Sequence, residues 1–159
     1  MKTIIFFVTV VLTAMSAGIF FAWSVSVIPG TKKLTDITYL ETMQSINKEI
    51  LNPVFFAVFF GSLVFLVINT ITQFNHKPAF WLVLSAMLIY TVGTFGFTAF
   101  GNVPLNNELD ALNLKALNLS ELKSFRTYYE RYWNGFHNVR TIAGFISFLL
   151  LLISIFIKK

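Results

Sequence analysis

Four long apolar runs alternate with polar connections along the chain. The runs cover residues 4–28, 54–71, 80–100 and 142–157, and none of them contains Asp, Glu, Lys or Arg. Each has, or nearly has, the roughly 17–25 residues that a helix needs to cross a bilayer. The connections 29–53 and 101–141 are too short to hold a separate soluble domain. The pattern therefore predicts an all-α membrane protein, a bundle of four transmembrane helices in one domain that covers residues 1–159.

Both long connections carry helical patterns of their own. Asp36 can cap a helix with one apolar face, and Asn52 followed by Pro53 is a strong start signal for the second span. In the second connection, apolar residues at alternating steps of three and four predict a helix that begins near Ser120 and continues into the fourth span. We therefore expect two amphipathic connecting helices on one membrane face, termed here the long-loop face.

The fourth apolar run is too short to cross the membrane by itself. At about 1.5 Å per residue, it covers only about 24 Å of a hydrocarbon core about 30 Å thick. The span is therefore predicted to cover residues 137–157, which brings His137, Asn138, Arg140 and Thr141 to the boundary or just beneath it. Ionisable groups at that depth usually face protein or a wet cavity.

The composition supports the membrane assignment and excludes several kinds of site. The chain is 56% hydrophobic and 12% charged, whereas soluble domains have about 25% charged residues. It has no cysteine, which excludes disulfides and thiolate metal sites. The basic residues are spread over every loop, so nucleic-acid binding is not expected despite a pI near 9.6. Membrane lipid is the expected partner, and homo-oligomer formation is left open.

The distribution of charge predicts an orientation. All seven acids lie in the two long connections, whereas the N-terminus, the 75–78 turn and the C-terminus carry only lysines, at Lys2, Lys77, Lys158 and Lys159. These three short segments share one face, termed the short-loop face. The positive-inside rule favours a cytoplasmic location for it, although the long connections hold more Lys and Arg in total. We expect an integral protein of the bacterial cytoplasmic membrane with both termini cytoplasmic.

Small residues predict where helices approach closely. They recur at every fourth position of the first span, at Ala14, Gly18, Ala22 and Ser26, and Gly93 makes a notch in the third. Such stripes let helix backbones approach in lipid, where no hydrophobic drive brings them together. We interpret them as packing surfaces rather than as a cofactor groove.

Polar side chains converge at the long-loop face. On the fourth helix, Trp133, His137 and Arg140 form one stripe, and Asn134 lies on the adjacent one. The other polar side chains expected at this face are Gln44, Asn47, Asn52, Asn102 and Asn106. An enclosed and mostly uncharged pocket beneath the long connections is therefore the default hypothesis for a binding site.

Each of these residues also has a structural interpretation. Arg140 can extend towards lipid headgroups, Trp133 can belong to an interfacial aromatic belt, and the asparagines can cap helix ends. These interpretations explain His137, Arg140 and Asn102 less well as a group than one by one, because an arginine that faces lipid headgroups does not require amide side chains to converge on it.

A metal or haem site is not expected. His76, the only other histidine, lies in the turn after the second span, on the opposite face from His137. No carboxylate lies inside a span to complete an iron site, so a metal would have to recruit Glu41, Glu49 or Glu130 from the connections.

Six short stretches together resemble the anthrone oxygenase-like family of small four-span membrane proteins. They are GIFFAWS at 18–24, VIPG at 27–30, MQSIN at 43–47, NPVFF at 52–56, GNVPLN at 101–106 and WNGFHNVRT at 133–141. The resemblance covers nearly the whole chain and implies a four-helix membrane fold. Most bacterial members have no assigned function. For a characterised minority, the resemblance implies oxidation of an anthrone to an anthraquinone by molecular oxygen, without a recognised organic cofactor.

The resemblance also implies roles for the polar cluster. If the chain is an oxygenase, neutral His137 removes a proton from a methylene between aryl rings, and the resulting anion reduces oxygen directly. Asn102 or Asn106 donates hydrogen bonds to the developing oxyanion, and Arg140 stabilises its charge. Trp133 packs a flat aromatic substrate. The catalytic candidates are thus His137, Arg140 and Asn102, and the substrate-binding candidates are Trp133, Asn134, Asn106, Gln44, Asn47 and Asn52.

A non-catalytic function is the alternative. The same cluster could bind a lipid, a quinone-like small molecule or a partner subunit, and the sequence does not separate these from an oxygenase.

Overall fold

A computed structural model describes residues 2–157, and in that range four helices are long and apolar enough to cross a membrane. The helices in chain order are α1 (Lys2–Thr31), α2 (Asp36–Glu49), α3 (Pro53–Thr72), α4 (Lys77–Asp110) and α5 (Leu119–Ile157), of which all but α2 are the candidate spans. The all-α bundle that the apolar runs predict is confirmed. Lys158 and Lys159, which are predicted from the sequence to lie at the short-loop face, lie outside the described residues.

The starts of α2 and α3 follow from local capping. Thr35, rather than Asp36, is the N-cap of α2, and its hydroxyl accepts a hydrogen bond from the amide of Thr38 at 3.4 Å. Asp36 lies instead in the first turn, where a carboxylate favours the helix dipole. Asn52 caps α3 as predicted, with its Oδ1 2.9 Å from the amide of Phe55.

Helix α4 is longer than the apolar run that predicts it. The run stops at Phe100, but the helix continues to Asp110. A π-type turn at Thr98–Asn102 separates the apolar part from the segment Val103–Asp110, and Pro104 lies in the first turn of that segment. Proline cannot donate to the helical hydrogen-bond ladder, and it stands directly after a turn in which the amide of Val103 bonds to the carbonyl of Thr98, five residues back. Leu105 and Leu109 of this extension are buried. Contacts with neighbouring helices therefore stabilise the extension, although the sequence there is no longer continuously apolar.

Helix α5 combines the second connecting helix and the fourth span. It begins at Leu119, close to the predicted start at Ser120, and the side chain of Asn118 accepts from the amides of Ser120 and Glu121 at 3.0 Å each. As predicted, the connecting helix continues into the fourth span, because α5 has no break between its amphipathic and apolar parts. The end of α4, a single short helical turn at Leu114–Ala116 and the first part of α5 form this connection.

The core lies along α5, which packs against α1, α2 and α4. One buried cluster sits at the long-loop face and joins α2, the end of α4 and the first half of α5; its members are Tyr39, Leu40, Met43, Leu105, Leu109, Leu114, Leu122, Tyr129 and Trp133. A second cluster, inside the four-helix bundle, consists of Leu66, Val83, Ala86, Tyr90 and Leu151. The first cluster holds α2 as a cover over the polar residues of α4 and α5.

The small residues of α1 and α4 differ in whether they pack against another helix. The expectation of close packing is wrong for most of the α1 stripe, because Gly18, Ala22 and Ser26 are exposed on the outside of the bundle. For Gly93 on α4 it is confirmed, because a Cβ added there would collide with the Cβ of Ala143 on α5. The backbones of α4 and α5 therefore approach closely at Gly93.

Candidate functional site

Two helices contain widened turns where they pass the polar cluster. In α1 the turn covers Trp23–Val27, and the amide of Ile28 bonds to the carbonyl of Trp23, five residues back. In α4 two such turns cover Tyr90–Gly96 and Thr98–Asn102. Turns of this π type are rare, and they occur frequently at functional sites. Here they accompany Ser24 on α1 and the buried Thr98 and Asn102 on α4, all of which face the interior.

Arg140 is buried in the bundle without an acidic partner. Its guanidinium carbon lies 4.6 Å from the ring centre of Phe20 and 5.0 Å from that of Trp133. Its Nε donates a hydrogen bond to Nδ1 of His137 at 3.2 Å. The ion pairs among the described residues use Lys48 and Arg126 as their cations, so no carboxylate neutralises Arg140. Its positive charge is stabilised by ring faces and a neutral imidazole, and it remains uncancelled.

His137 is fully buried and both of its ring nitrogens are engaged. Nδ1 faces Arg140, and Nε2 lies 2.8 Å from Oγ of Ser24 and 3.3 Å from Oγ1 of Thr141. The ring stacks on Trp133 at a centroid distance of 5.1 Å and an interplanar angle of 9°. These contacts on both edges and one face fix the orientation of the ring.

Arg140 and the neighbouring amides line a cavity of about 70 Å³ between α1, α2, α4 and α5. Its polar lining consists of Asn47, Thr98, Asn102, Asn106 and Arg140, and its aromatic lining of Phe20, Trp23, Phe55 and Trp133. His137 does not line it. The cavity is smaller than the roughly 300 Å³ of a typical ligand site, so it has room for a molecule the size of water or dioxygen. The non-helical link Ile50–Leu51 forms part of its wall, and Leu51 is exposed.

The amides of the cavity form a directed network. Oδ1 of Asn106 accepts from Nε1 of Trp133 at 2.7 Å and from the hydroxyl of Tyr129 at 3.0 Å. That hydroxyl in turn accepts from Nδ2 of Asn47 at 3.1 Å. The lone pairs of Asn106 are thus used by the protein itself, and Asn106 offers a ligand no free acceptor at Oδ1.

Asn102 is incompletely satisfied. Its Nδ2 donates to the carbonyl of Trp133 at 3.0 Å, which fixes the orientation of the amide because a carbonyl can only accept. Its Oδ1 is buried and has no hydrogen-bond partner in the described part of the chain. An unpaired buried acceptor costs about 1–3 kcal/mol. The oxygen is thus a candidate acceptor for a water molecule or a ligand hydroxyl.

Three of the predicted site residues neither line the cavity nor bond to Arg140. Gln44 donates to the carbonyl of Leu109 at 2.8 Å and so ties α2 to the end of α4. Asn52 uses Oδ1 to cap α3 and Nδ2 to bind the carbonyl of Glu49 at 2.8 Å. Asn134 is partly exposed and does not line the cavity. The structure brings together the other six candidates, Asn47, Asn102, Asn106, Trp133, His137 and Arg140, and their chemical roles stay predictions.

The sequence hypothesis missed several residues around Arg140. Phe20 and Trp23 line the cavity, and Ser24 contacts His137. All three lie in the stretch GIFFAWS, which carried the family resemblance but received no role. Tyr129, which links Asn47 to Asn106, likewise has no role in that hypothesis.

A larger cleft lies on the outer side of α4 and α5. It measures about 530 Å³ and is lined almost wholly by apolar groups, including Phe95, Phe97, Phe100 and Phe136. It has the size of a ligand site but no group that could ionise a substrate. In a bilayer such a surface faces lipid chains. The polar cavity is therefore the better candidate for chemistry.

The histidines and acids do not form a metal site in the part of the chain that is described. Within residues 2–157, no three His, Asp or Glu side chains come close enough together to hold an ion. His76 caps the start of α4 at the short-loop face, far along the bundle from His137.

Comparison with known proteins gives one match. A family model described as anthrone oxygenase matches residues 42–150. This range is more than half of the chain and includes every polar residue that lines the cavity, but it leaves out α1. Neither a curated protein nor a solved structure matches the chain.

Proposed function

Because the chain belongs to the anthrone oxygenase family, we propose that it is a membrane-bound monooxygenase that oxidises an anthrone-like, flat aromatic substrate with molecular oxygen and without a cofactor. The observation that carries the proposal is the charge of Arg140, which is buried beside the cavity and is not cancelled by a carboxylate.

Arg140 supplies electrostatic stabilisation in the proposed reaction. An anthrone has an acidic methylene opposite its carbonyl, and loss of a proton places negative charge on the carbonyl oxygen. A guanidinium beside that oxygen favours the anion, and it does so more strongly in a dry interior than in water. The cavity therefore favours the electron-rich form of the substrate, which can react with oxygen directly.

The remaining steps conserve atoms and electrons. The anion passes one electron to dioxygen, and the resulting radical and superoxide combine at the former methylene carbon to give a peroxide. The peroxide takes up a proton and loses water, which creates the second carbonyl of the anthraquinone. One atom of dioxygen enters the product and the other leaves as water.

The cavity offers no carboxylate base. Removal of the first proton by His137 stays a prediction, and the hydrogen bonds to both ring nitrogens favour a different role for this residue. In the proposal the proton passes to water in the cavity. The unpaired Oδ1 of Asn102 supports this step, because it is placed to accept a hydrogen bond from such a water molecule or from a substrate hydroxyl.

Substrate binding requires the cavity to widen. A three-ring compound does not fit in about 70 Å³. We assign the movement to the link Ile50–Leu51, because it is the non-helical part of the wall and closes the cavity beside α3.

The test compares Arg140→Met with Arg131→Met in purified protein reconstituted in lipid nanodiscs. Arg131 lies on the same helix, is exposed and has its guanidinium carbon 5.9 Å from the ring centre of Tyr132, so it is the matched control. Oxygen uptake and quinone absorbance are measured with a dihydroxyanthrone and corrected for spontaneous oxidation. Arg140→Met is expected to lower kcat/KM by about 10²–10³-fold, and Arg131→Met to leave it unchanged.

Two results would overturn the proposal. The first is a wild-type protein that does not accelerate the oxidation above the rate in empty nanodiscs. The second is a folded Arg140→Met variant, verified by circular dichroism, with full activity. If the wild type binds a hydroxyanthraquinone but does not oxidise the anthrone, the protein is a carrier of quinone-like molecules and not an enzyme.

A further inference from the structure

We propose that His137 is a positioning residue, held in one tautomer by Ser24 and Thr141 so that it orients the guanidinium of Arg140. The catalytic consequence rests on the proposed function. The tautomer and the contact with Arg140 do not, because they follow from hydrogen bonds alone.

Two hydroxyl groups surround Nε2 of His137. Ser24 donates its hydrogen to the carbonyl of Phe20 at 3.1 Å, and Thr141 donates its hydrogen to the carbonyl of His137 at 2.7 Å. A hydroxyl has one hydrogen to give, so both oxygens are left as acceptors. They lie 2.8 Å and 3.3 Å from Nε2. With their hydrogens directed at these carbonyls, both oxygens can accept a hydrogen bond from a protonated Nε2.

Arg140 independently determines the state of Nδ1. A guanidinium can only donate, and its Nε and Nη2 lie 3.2 Å and 3.1 Å from Nδ1 of His137. Nδ1 must therefore be the unprotonated nitrogen. A neutral imidazole carries one proton, so that proton is on Nε2, where Ser24 and Thr141 offer acceptors.

This tautomer leaves His137 without a free lone pair. The lone pair that a base would use is directed at Arg140, and stacking on Trp133 prevents the ring from swinging towards the cavity. Arg140 is fixed through two of its nitrogens. Its third, Nη1, has no hydrogen-bond partner within residues 2–157 and is left for a ligand. Orienting this nitrogen is the role that the geometry gives to His137.

The activity test compares His137→Asn with His137→Leu. Asparagine places its Oδ1 near the position of Nδ1, so it can still accept from Arg140, but it cannot act as a base. Leucine has a similar volume and no acceptor. If His137 positions Arg140, the Asn variant keeps activity within about tenfold of wild type, and the Leu variant loses a further factor of about ten or more. If His137 is the base, both variants are equally inactive, and the inference is wrong.

A spectroscopic test needs no substrate. The protein labelled with ¹⁵N at histidine and arginine is examined by NMR in nanodiscs, and His76→Gln assigns the two histidines. We expect His137 to be protonated at Nε2 alone. Ser24→Ala should shift the Nε2 resonance, whereas Ser26→Ala, an exposed neighbour on the same helix, should not. The Nε signal of Arg140 should stay in place in His137→Asn and move in His137→Leu.

The outcomes separate this inference from the proposed function. A proton on Nδ1, or an Nε2 resonance that does not shift in Ser24→Ala, would refute the assigned tautomer, regardless of the oxidation rate that the protein shows. If the wild type oxidises no anthrone, the proposed function fails, and the NMR signals of His137 and Arg140 still decide whether the contact exists.

Discussion

Substitution of Gly93 by alanine tests how closely α4 and α5 pack. A Cβ at position 93 would collide with the Cβ of Ala143, whereas a Cβ at Gly18 meets open space. Overpacking a tight contact costs about 1–3 kcal/mol, and replacing glycine by alanine inside a helix gains about 1 kcal/mol. Gly93→Ala should therefore be less stable than Gly18→Ala by about 1–3 kcal/mol, because only Gly93→Ala incurs the collision.

The comparison is made by thermal unfolding in detergent micelles, followed by circular dichroism. A difference of 2 kcal/mol corresponds to about 4–8 °C in Tm for a chain of this size. Ala143→Gly removes the methyl group that the new side chain meets, so the double variant Gly93→Ala/Ala143→Gly should recover most of the loss. Equal Tm values for Gly93→Ala and Gly18→Ala, or no recovery in the double variant, would refute the reasoning. Activity should fall with stability, because neighbouring Thr94 donates to the carbonyl of Arg140 at 3.2 Å.

Two further predictions concern orientation and the turn between α1 and α2. Cysteines introduced at the exposed positions Lys77 and Lys115 should react with a membrane-impermeant reagent from opposite sides, with Lys77 cytoplasmic; labelling of position 77 alone in intact cells would invert the topology. Arg126→Ala should lower the free energy of unfolding by about 1–3 kcal/mol, because this guanidinium donates to the carbonyl of Leu34 at 2.7 Å and lies over the ring of Tyr39 at 4.5 Å; a denaturation midpoint that equals that of the wild type would contradict this assignment.

The presence of the four spans could be predicted from the sequence, because long apolar runs are enough to identify them. The ends of the helices could not, because they depend on contacts with neighbouring helices. Residues 101–110 are mostly polar, and hydropathy ends the third span before them. They nevertheless continue α4, because Leu105 and Leu109 find a buried surface on the neighbouring helices. The start of α5 was predictable, since an apolar period that runs through its amphipathic half needs no knowledge of its neighbours.

The site was predictable in its burial and less so in its connections. The rise of the fourth helix places His137 and Arg140 inside the membrane boundary, and the structure buries both. The hydrogen-bond partners of the individual amide side chains could not be predicted from the sequence. Asn52 had a capping signal in the following proline, and capping occupies both ends of its side chain. Gln44 binds a backbone carbonyl of Leu109, a contact that leaves no trace in residue types.

The absence of an acid beside Arg140 gives the cavity its chemical character. The described residues include all seven carboxylates of the chain, and none pairs with this guanidinium. A carboxylate there would stabilise the cation and would also cancel its field. The faces of Phe20 and Trp133 contribute about 0.5–2 kcal/mol each, and Nδ1 of His137 adds an acceptor without a charge. These neutral partners let the cation remain buried and leave its potential directed at whatever enters. Such a cavity favours a group that is, or can become, an oxyanion, and it does so without a negatively charged side chain that would repel that group.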